Sequence, residues 1–250
     1  MADRYVYGIH SVSGLMKNQP ERIDQLFVRQ GAQSHRLKEL IQLANAKGCP
    51  VELIAPEKLD RLVKGSHQGV VLKVRPVRDR SEKDLEGFLA DRMDQTESIL
   101  LLILDGVTDP RNLGACIRSA AATGADAVIV PRRNSAELTP AAEKAASGGA
   151  ELVPLFRVTN LGRTLDYLKS LGIWITGTSM DTDVFIYEVD LKGHCALVLG
   201  SEGTGMRDGV RKRCDFLATI PMNRDSFSFN VSVATGIILY EVARQRSKKV

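Results

Sequence analysis

Short apolar runs alternate with amphipathic helical patterns along this chain, and the alternation becomes a regular succession of strand and helix from residue 99 onward. In the first part the clearest helix is predicted over 34–47, where Leu37 and Leu40 recur at helical spacing. The strands predicted around it are 5–9, 25–28, 51–54 and 70–74. This pattern predicts a small α/β unit over residues 1–75.

The second part contains aliphatic runs of the kind found in fully buried strands. The predicted strands are 99–104, 127–130, 152–155, 173–176, 196–199 and 217–220. The helices predicted between and after them are 112–123, 139–147, 160–171, 205–213 and 230–246. This alternation predicts an α/β domain over 99–250, with a largely parallel sheet that is covered on both faces.

Charge is distributed unevenly between these parts. Residues 1–75 contain 12 Lys and Arg against 7 Asp and Glu, residues 76–98 contain 4 against 7, and the remainder contains 18 against 16. The polar middle segment predicts a linker that carries one short helix over 82–93. A basic unit ahead of an acidic linker is typical of an RNA-contacting domain, because phosphates attract clustered Lys and Arg, although proteins that bind no RNA also show this charge.

The composition of the 250 residues, with 44% hydrophobic and 26% charged side chains, is ordinary for a soluble globular protein. The longest aliphatic run is far shorter than the roughly 20 residues that span a bilayer, and the first residues lack the apolar segment of a secretory signal. We therefore expect a cytoplasmic protein without membrane contact. The cysteines at 49, 116, 195 and 214 show neither Cys-x-x-Cys nor zinc-ligand spacing, so we expect reduced thiols and no metal.

Polar peptides follow predicted strands at three places in the second half of the chain. These peptides are 105–118, 199–207 and 220–236. The carboxyl ends of parallel strands are where open α/β sheets bind ligands, so the three peptides predict one binding site. Asn112, Ser228 and Asn230 also suit the N-cap of a following helix, and a purely structural role stays open for each.

The glycines of the second peptide argue against one common ligand class. Gly200, Gly203 and Gly205 have the spacing G-x-x-G-x-G, whereas a dinucleotide-binding turn requires G-x-G-x-x-G, and no Walker lysine follows. Glu202 in the same loop would repel a phosphate. A neutral or cationic ligand, such as a sulfonium, suits this loop better.

Together the three peptides resemble the motifs of the SpoU family of RNA ribose 2′-O-methyltransferases. The resemblance covers nearly the whole chain, including His67-Gln68-Gly69 and the stretch 153–161. It implies a SPOUT fold over 99–250 with a C-terminal trefoil knot that holds S-adenosylmethionine, and an RNA substrate-binding domain over 1–75. The pattern alone predicts an unknotted Rossmann-like sheet, because knots are rare. The resemblance also implies a homodimer with the cofactor pockets close to the interface.

The resemblance also implies which residues act. The polar side chains that match the family's motifs are Asn112, Arg118, Glu202, Ser228 and Asn230, and the backbone positions that line the adenosine are Gly200, Ile220 and Phe229. We expect Arg118 to bind the target phosphate and stabilise the developing alkoxide, because a guanidinium stays protonated and is a poor base. Glu202 would orient Arg118 or draw on the proton through water. The other three polar residues would fix the ribose and the methionine end of the cofactor.

Within the family, the chain is most similar to members that methylate a guanosine ribose in the peptidyl-transferase centre of 23S rRNA. The implied substrate is this ribosomal RNA or a large-subunit precursor. The alternatives are a transfer RNA or another ribosomal site, a non-catalytic RNA-binding protein of the same fold, and an unrelated nucleotide-binding α/β enzyme. Two positions depart from the family pattern and bear on cofactor affinity: Arg224 stands where Gly is usual, and Phe229 where Leu is common.

Overall fold

The computed structural model describes residues 4–18, 20–31, 34–75, 80–223 and 228–247. The chain forms two compact units, which divide between residues 78 and 79. Each unit has its own sheet and its own buried core. Arg224, at which the sequence departs from the family pattern, lies outside the described residues.

The N-terminal unit contains a mixed sheet flanked by helices. Its strands are β1 (Arg4–Tyr7), β2 (Ile23–Arg29), β3 (Val51–Ile54) and β4 (Val70–Val74), and its helices are α1 (Ile9–Asn18), α2 (His35–Ala46) and α3 (Pro56–Leu62). The four strands lie in the order β1-β4-β2-β3, with β4 antiparallel to both neighbours and β2 parallel to β3. The predicted strands 51–54 and 70–74 are confirmed at both ends.

Helices cover both faces of this sheet. Leu15 of α1 and Leu40 of α2 pack with Leu26 and Leu72 on one face. On the other face, Leu59 of α3 packs with Ile54 and Val71. The alternation of buried side chains along β4 therefore serves two separate apolar clusters, as expected for a strand that is covered on both sides.

The C-terminal unit is built on a six-stranded sheet. Its strands are β5 (Leu100–Asp105), β6 (Ala127–Pro131), β7 (Leu155–Val158), β8 (Trp174–Thr178), β9 (Cys195–Gly200) and β10 (Phe216–Ala218). Its helices are α4 (Glu82–Met93), α5 (Pro110–Thr123), α6 (Pro140–Ala146), α7 (Leu161–Ser170), α8 (Asp208–Arg211) and α9 (Val231–Arg246).

The strands of this sheet lie in the order β10-β8-β9-β5-β6-β7, and all pairings described in it are parallel. The predicted α/β class with a parallel sheet is thereby confirmed. The strand order is consistent with the C-terminal knot that the family resemblance implies. Within the described ranges, no helix is both long and apolar enough to span a bilayer.

Side chains of β5 alternate between two apolar layers. Leu100, Leu102 and Leu104 pack in the layer that contains α5 and α9. Leu101 and Ile103 pack in the opposite layer, which contains α4 and α7. Because both faces are covered, the strand is aliphatic from Leu100 to Leu104, and its sequence shows no alternation of apolar and polar residues.

Helix α4, within the stretch 76–98 that was expected to be a linker, contributes to the C-terminal core. Helix α4 has the predicted bounds, and Ser81 caps it with a reciprocal Ser81–Asp84 capping box. Leu85 and Leu89 of this helix are buried in the same cluster as Phe156. The charged residues around this apolar stripe concealed its packing role in the sequence, because they lie on the exposed face of the helix.

Two predicted elements differ from the structure. The strand expected over 152–155 is β7, which begins three residues later at Leu155, after a 3₁₀ turn at Gly149–Glu151 and an exposed Leu152. The helix expected over 205–213 is the single turn α8. Its predicted start is excluded because Gly205 has φ +67°, a left-handed conformation that cannot continue a right-handed helix.

Both ends of helix α9 are held by hydrogen bonds. Its N-cap is Asn230, and its last turn contains Arg246. Arg246 Nη2 donates to the carbonyl oxygens of Ile99 and Gly193 at 3.1 and 2.6 Å, next to the amino ends of β5 and β9. Between its ends, helix α9 packs against α5 and β9.

We predict that Gly114→Ala lowers the free energy of unfolding by about 1–3 kcal/mol, because a well-packed contact is overfilled. A Cβ at Gly114 in α5 would lie 2.2 Å from the carbonyl oxygen of Ala142 and 2.7 Å from Cβ of Ala145. The matched control is Gly87→Ala in α4, where no atom lies within 4 Å of the added carbon. This exposed helical position should gain about 0.5–1 kcal/mol. Urea unfolding of both variants checks the pair, and equal effects would contradict the close packing of α5 on α6.

Candidate functional site

A cleft with a volume of about 360 Å³ opens at the carboxyl ends of the strands in the C-terminal unit. Its walls come from the loops after β8, β9 and β10 and from the start of α9. Its lining residues include Thr178, Ser179, Asp181, Leu199, Gly200, Glu202, Arg211, Ile220, Ser228 and Phe229. The cleft therefore lies where the sequence predicted a ligand site.

The glycine loop, residues 200–206, forms one wall of the cleft and folds back on its own strand. Ser201 and Gly205 exchange two backbone hydrogen bonds of 3.1 and 3.0 Å. A Cβ on Gly200 would lie 2.1 Å from the carbonyl carbon of Gly205, so only glycine allows this approach. Gly203 and Gly205 have positive φ, at +88° and +67°, which only glycine adopts readily. The spacing of the glycines is therefore explained by the backbone conformation of this closed loop.

Glu202 joins the three sequence motifs through hydrogen bonds. Its Oε1 accepts the side-chain N–H of Asn112 at 3.1 Å and that of Asn230 at 2.5 Å. It also accepts the backbone N–H of Val231 at 3.2 Å. Asn230 Nδ2 donates to Asn112 Oδ1 at 3.2 Å as well. One carboxylate therefore holds two carboxamides in fixed positions at the edge of the cleft.

Two helix N-termini converge on this carboxylate. Val231 is the first residue of α9, and Asn112 lies in the first turn of α5. The positive ends of the helix dipoles favour a negative charge at this point. The local sequence fixes both helix starts, because Asp109 caps α5 and Asn230 caps α9 through Ser232 N–H. Asn230 is thus both an N-cap and a member of the cluster, whereas Asn112 is not a cap.

Ser228, Phe229, Gly200 and Ile220 all lie in the wall of the cleft. The structure therefore brings seven of the eight residues named from the sequence to the cleft or to the Glu202 cluster. Of the backbone positions implied to line an adenosine, Gly200 ends β9 and Ile220 follows β10.

Arg118 is the exception. It is exposed on α5, and six residues at about 100° each turn it about 120° away from Asn112 around the helix axis. The side chains of Asn112 and Arg118 could point to the same place only if Asn112 preceded the helix. Helix α5 begins at Pro110, so both residues lie within it. Within the described part of the chain, the guanidinium makes no hydrogen bond or ion pair. Among the described residues no hydrogen bond or ion pair joins Glu202 to Arg118, so the expectation that Glu202 orients Arg118 stays a prediction.

The loop after β8 is a part of the cleft that sequence reasoning missed. Thr178, Ser179 and Asp181 line the cleft, and Asp181 Oδ2 accepts Nη1 of Arg211 at 3.0 Å across its rim. A usable signal was present, because Thr178 and Ser179 come just after the predicted strand 173–176 and therefore lie at the carboxyl edge of the sheet.

The charge of the cleft follows from three of its side chains. Asp181 and Arg211 form an ion pair, which leaves Glu202 as the source of net negative charge among the lining residues. Such a cleft disfavours phosphates and suits a neutral or cationic ligand. In the described ranges there is no cluster of three or more His, Cys, Asp or Glu side chains that could hold a metal ion.

A buried thiol lies behind the cluster. Cys116 of α5 and Thr235 of α9 are joined by a hydrogen bond of 3.3 Å between Sγ and Oγ1. Burial raises the pKa of Cys116 to about 11, and it does the same for Cys195 and Cys214. These groups stay protonated at neutral pH, which makes them weak nucleophiles. Cys116 therefore contributes to packing between α5 and α9.

The comparison with protein families identifies the chain. A sequence model described as the SpoU rRNA Methylase family matches residues 99–240, and one described as RNA 2′-O ribose methyltransferase substrate binding matches residues 5–80. The chain belongs to the SpoU methylase family.

Individual relatives resemble the chain over nearly its whole length. It is 48% identical to the 23S rRNA (guanosine-2′-O-)-methyltransferase RlmB of Escherichia coli strain K12, over 97% of this chain and 98% of the relative. It is also 48% identical to the RlmB protein of Coxiella burnetii, over 96% and 95% of the two chains. The SpoU methyltransferase AviRb of Streptomyces viridochromogenes, solved with AdoMet, has a TM-score of 0.72 at 26% identity and covers 98% of this chain and 90% of its own.

We predict that Asn230→Asp makes folding stability fall as the pH rises. The substitution keeps the cap oxygen but sets a second carboxylate against Glu202, and the like charge raises the pKa of the carboxyl introduced at 230 above its unfolded value. The loss of stability relative to wild type then begins as the pH rises above the unfolded value of about 3.9 and is complete once the pH exceeds the raised value. Relative to wild type, the free energy of unfolding should drop by about 1–3 kcal/mol between pH 5 and pH 8.

The control for this prediction is Asn160→Asp. Asn160 caps α7 in the same way, by accepting the backbone N–H of Arg163 at 3.1 Å. An aspartate at a helix N-terminus is favourable when no second carboxylate faces it, so this variant should be at least as stable as wild type at pH 8. Chemical unfolding at the two pH values measures the free energy of unfolding of both variants. The same pH dependence in the two variants would refute the contact with Glu202.

Proposed function

We propose that this protein transfers a methyl group from S-adenosylmethionine to the ribose 2′-hydroxyl of a guanosine in 23S rRNA. The observation that carries the proposal is Glu202, which lines the cleft and bonds Asn112 and Asn230, so that all three family motifs meet at one point. Relatives that match nearly the whole chain at 48% identity are named for this reaction. A cytoplasmic location, where this RNA is made, is part of the proposal.

The cleft suits S-adenosylmethionine in shape and charge. Ile220 and Phe229 provide apolar surface for the adenine, and Gly200 contributes backbone to the wall of the cleft. Glu202 provides the negative charge that a sulfonium favours. When bound, this cofactor supplies an electrophilic methyl group on a positively charged sulfur.

The remaining requirements of the reaction fall to the protein's own residues. A ribose 2′-hydroxyl is a weak nucleophile that must lose its proton as it attacks. Asn112 and Asn230, held by Glu202, and the neighbouring Ser228 would fix the ribose and the methionine end of the cofactor so that the reacting atoms align. In the described residues, Glu202 accepts hydrogen bonds through Oε1 alone. Its Oε2 is therefore available to take the proton through a water molecule.

Arg118 would act on the RNA. Its exposed guanidinium, without a protein partner in the described ranges, can bind the phosphate next to the target ribose in a bidentate manner. The same charge would stabilise the alkoxide that develops on the 2′-oxygen. This role needs no contact between Arg118 and Glu202.

The N-terminal unit would select the RNA. It is the basic part of the chain, with 12 Lys and Arg against 7 Asp and Glu in residues 1–75. The family description for residues 5–80 is substrate binding. Affinity for RNA should therefore fall steeply with added salt, because binding releases counterions from the phosphates.

Methyl transfer from tritium-labelled S-adenosylmethionine tests the proposed function. The purified protein is incubated separately with unmodified 23S rRNA, with large-subunit precursors and with transfer RNA, and labelled nucleotides are mapped. Label on a guanosine ribose of 23S rRNA is expected. Label in transfer RNA would redirect the proposal to the alternative substrate, and cofactor and RNA binding without transfer would favour a non-catalytic RNA-binding protein.

We predict that Arg118→Ala lowers the rate of methyl transfer by about 100-fold or more, as expected when a charge-stabilising donor is lost. Folding and the dissociation constant for S-adenosylhomocysteine should change little, because the guanidinium is exposed. Arg118→Lys keeps the charge but loses the planar pair of donors, and it should recover only part of the rate. Single-turnover kinetics measures both variants. Near wild-type turnover of Arg118→Ala would remove Arg118 from the mechanism.

We further propose that the protein is a homodimer that uses the exposed side of α9. Val233 and Tyr240 are 49% and 66% exposed, and their spacing of seven residues places them on one side of the helix. Phe229, which is also exposed, precedes this side and lines the cleft. A second copy that covers these side chains would lie close to the cofactor site, as the family resemblance implies.

The dimer proposal predicts that Tyr240→Asp raises the dimer dissociation constant by about 30-fold or more, because a buried aromatic contact is replaced by a charge. Trp174→Asp is the control, since Trp174 is similarly exposed, at 58%, but lies at the start of β8 and pairs with Phe216. Sedimentation velocity over a range of concentrations measures both. Dissociation by the Trp174 variant alone would assign the interface to the other surface.

A further inference from the structure

A carboxylate that takes no part in the proposed chemistry lies beside the glycine loop. Asp105 is the last residue of β5, and its side chain is fully buried. Its Oδ2 accepts the backbone N–H of Arg207 at 2.9 Å. Its Oδ1 accepts a hydrogen bond from Nε of the same residue at 2.8 Å and lies 2.6 Å from Nη2 in an ion pair. These contacts, called here the Asp105 clamp, hold both the backbone and the guanidinium of Arg207.

The Asp105 clamp closes the base of the glycine loop, where the loop leaves and rejoins the sheet. The loop leaves β9 at Gly200, which lies opposite Asp105 in the parallel pairing of β5 with β9. It returns to the same point at Arg207, the residue that follows Met206. Gly106 has φ +86°, and a Cβ placed on it would lie 3.5 Å from Cβ of Ser201. The first and second motifs are therefore joined at the base of the loop that carries Glu202.

The clamp differs from the other ion pair at the cleft in the burial of its carboxylate. Its carboxylate is fully buried and accepts two hydrogen bonds besides the ion pair, an arrangement in which loss of a partner leaves a buried charge unsatisfied. The pair of Asp181 and Arg211 at the rim is 78% and 36% exposed, and such surface pairs contribute little. The base of the loop is accordingly fixed, while the rim is free to open.

We infer that Asp105 and Arg207 are positioning residues for cofactor binding, acting through the glycine loop on Gly200 and Glu202. The inference rests on the proposed function, because it assigns the loop to S-adenosylmethionine. Neither residue is among those that line the cleft. Their effect is to hold the cofactor wall of the cleft in its binding position before the ligand arrives, which reduces the cost of ordering it.

The same strand provides a matched control. At the amino end of β5, Asp126 is nearly fully buried and accepts the backbone N–H of Leu100 at 2.8 Å and Nε of Arg92 at 2.6 Å. This second clamp has the chemistry of the first, with one buried carboxylate, one backbone N–H and one arginine. It lies at the opposite edge of the sheet from the cleft, so its loss can affect stability but not the glycine loop.

The test compares Arg207→Lys with Arg92→Lys in the full chain. Lysine keeps the charge but lacks the two parallel donors of a guanidinium. Calorimetric titration with S-adenosylhomocysteine should show a dissociation constant raised about tenfold for Arg207→Lys and by less than about twofold for Arg92→Lys, while both lower the melting temperature. In kinetics, Arg207→Lys should raise KM for S-adenosylmethionine and leave kcat within about threefold, because saturating cofactor reseats the loop.

Hydrogen exchange provides a readout that needs no ligand. Amides of residues 200–207 should exchange faster in Arg207→Lys than in wild type and stay unchanged in Arg92→Lys, because the base of the loop opens more often. Equal effects of the two substitutions on the dissociation constant and on loop exchange would overturn the inference. If the wild-type protein binds no S-adenosylhomocysteine, the proposed function fails, and loop exchange alone then decides whether the Asp105 clamp orders the loop.

Discussion

The parallel pairing of β5 with β9 is the constraint on which the site depends. The two strands are in register from Leu100 opposite Cys195 to Asp105 opposite Gly200, so they end at the same level. The peptides that follow must therefore turn at the same place and pack against each other. Aliphatic side chains buried on both faces fix this register, because a slip of one residue would exchange the two apolar layers. Asn112 and Glu202, 90 residues apart, meet only in this register.

Glu202 turns separate helix starts into one binding site. Each motif, taken alone, has an ordinary structural role, as a cap, a turn or a closed loop. A single acceptor shared by Asn112, Asn230 and Val231 makes these roles interdependent. Because the two carboxamides share Oε1 of Glu202, the loss of any one member changes the environment of the others. Their energetic effects are for this reason not expected to add.

Much of the fold could be predicted because buried strands and helices leave strong local patterns. The aliphatic runs located all strands of the parallel sheet, with β7 displaced by three residues. The boundary of the C-terminal unit could not be read in this way, since Leu85 and Leu89 of α4 are apolar residues in a charged stretch and gain meaning only from the Phe156 surface that they cover. The length of α8 was overestimated because positive φ at Gly205 is set by the closed loop.

The candidate site could be named from motifs but not assembled from them. Sequence spacing gives no means of deciding that α5 begins at Pro110, and this start is what separates Arg118 from Asn112. The pairing of Glu202 with two carboxamides, and of Asp105 with Arg207, depends on contacts between residues about 30 to 100 positions apart. Such contacts follow from strand order, which local patterns do not determine.

The attachment of α9 at both ends has a consequence for biosynthesis. Two of the three donors to Glu202, the Asn230 side chain and the Val231 amide, come from the start of this last helix, and Arg246 fastens its end to the amino edge of the sheet. Chains are made from the amino end, so every strand of the sheet is synthesised before α9 can dock. A nascent chain can thus build the sheet and the glycine loop while the carboxylate still lacks most of its donors. Competence for ligand binding would arise late, in a single docking step.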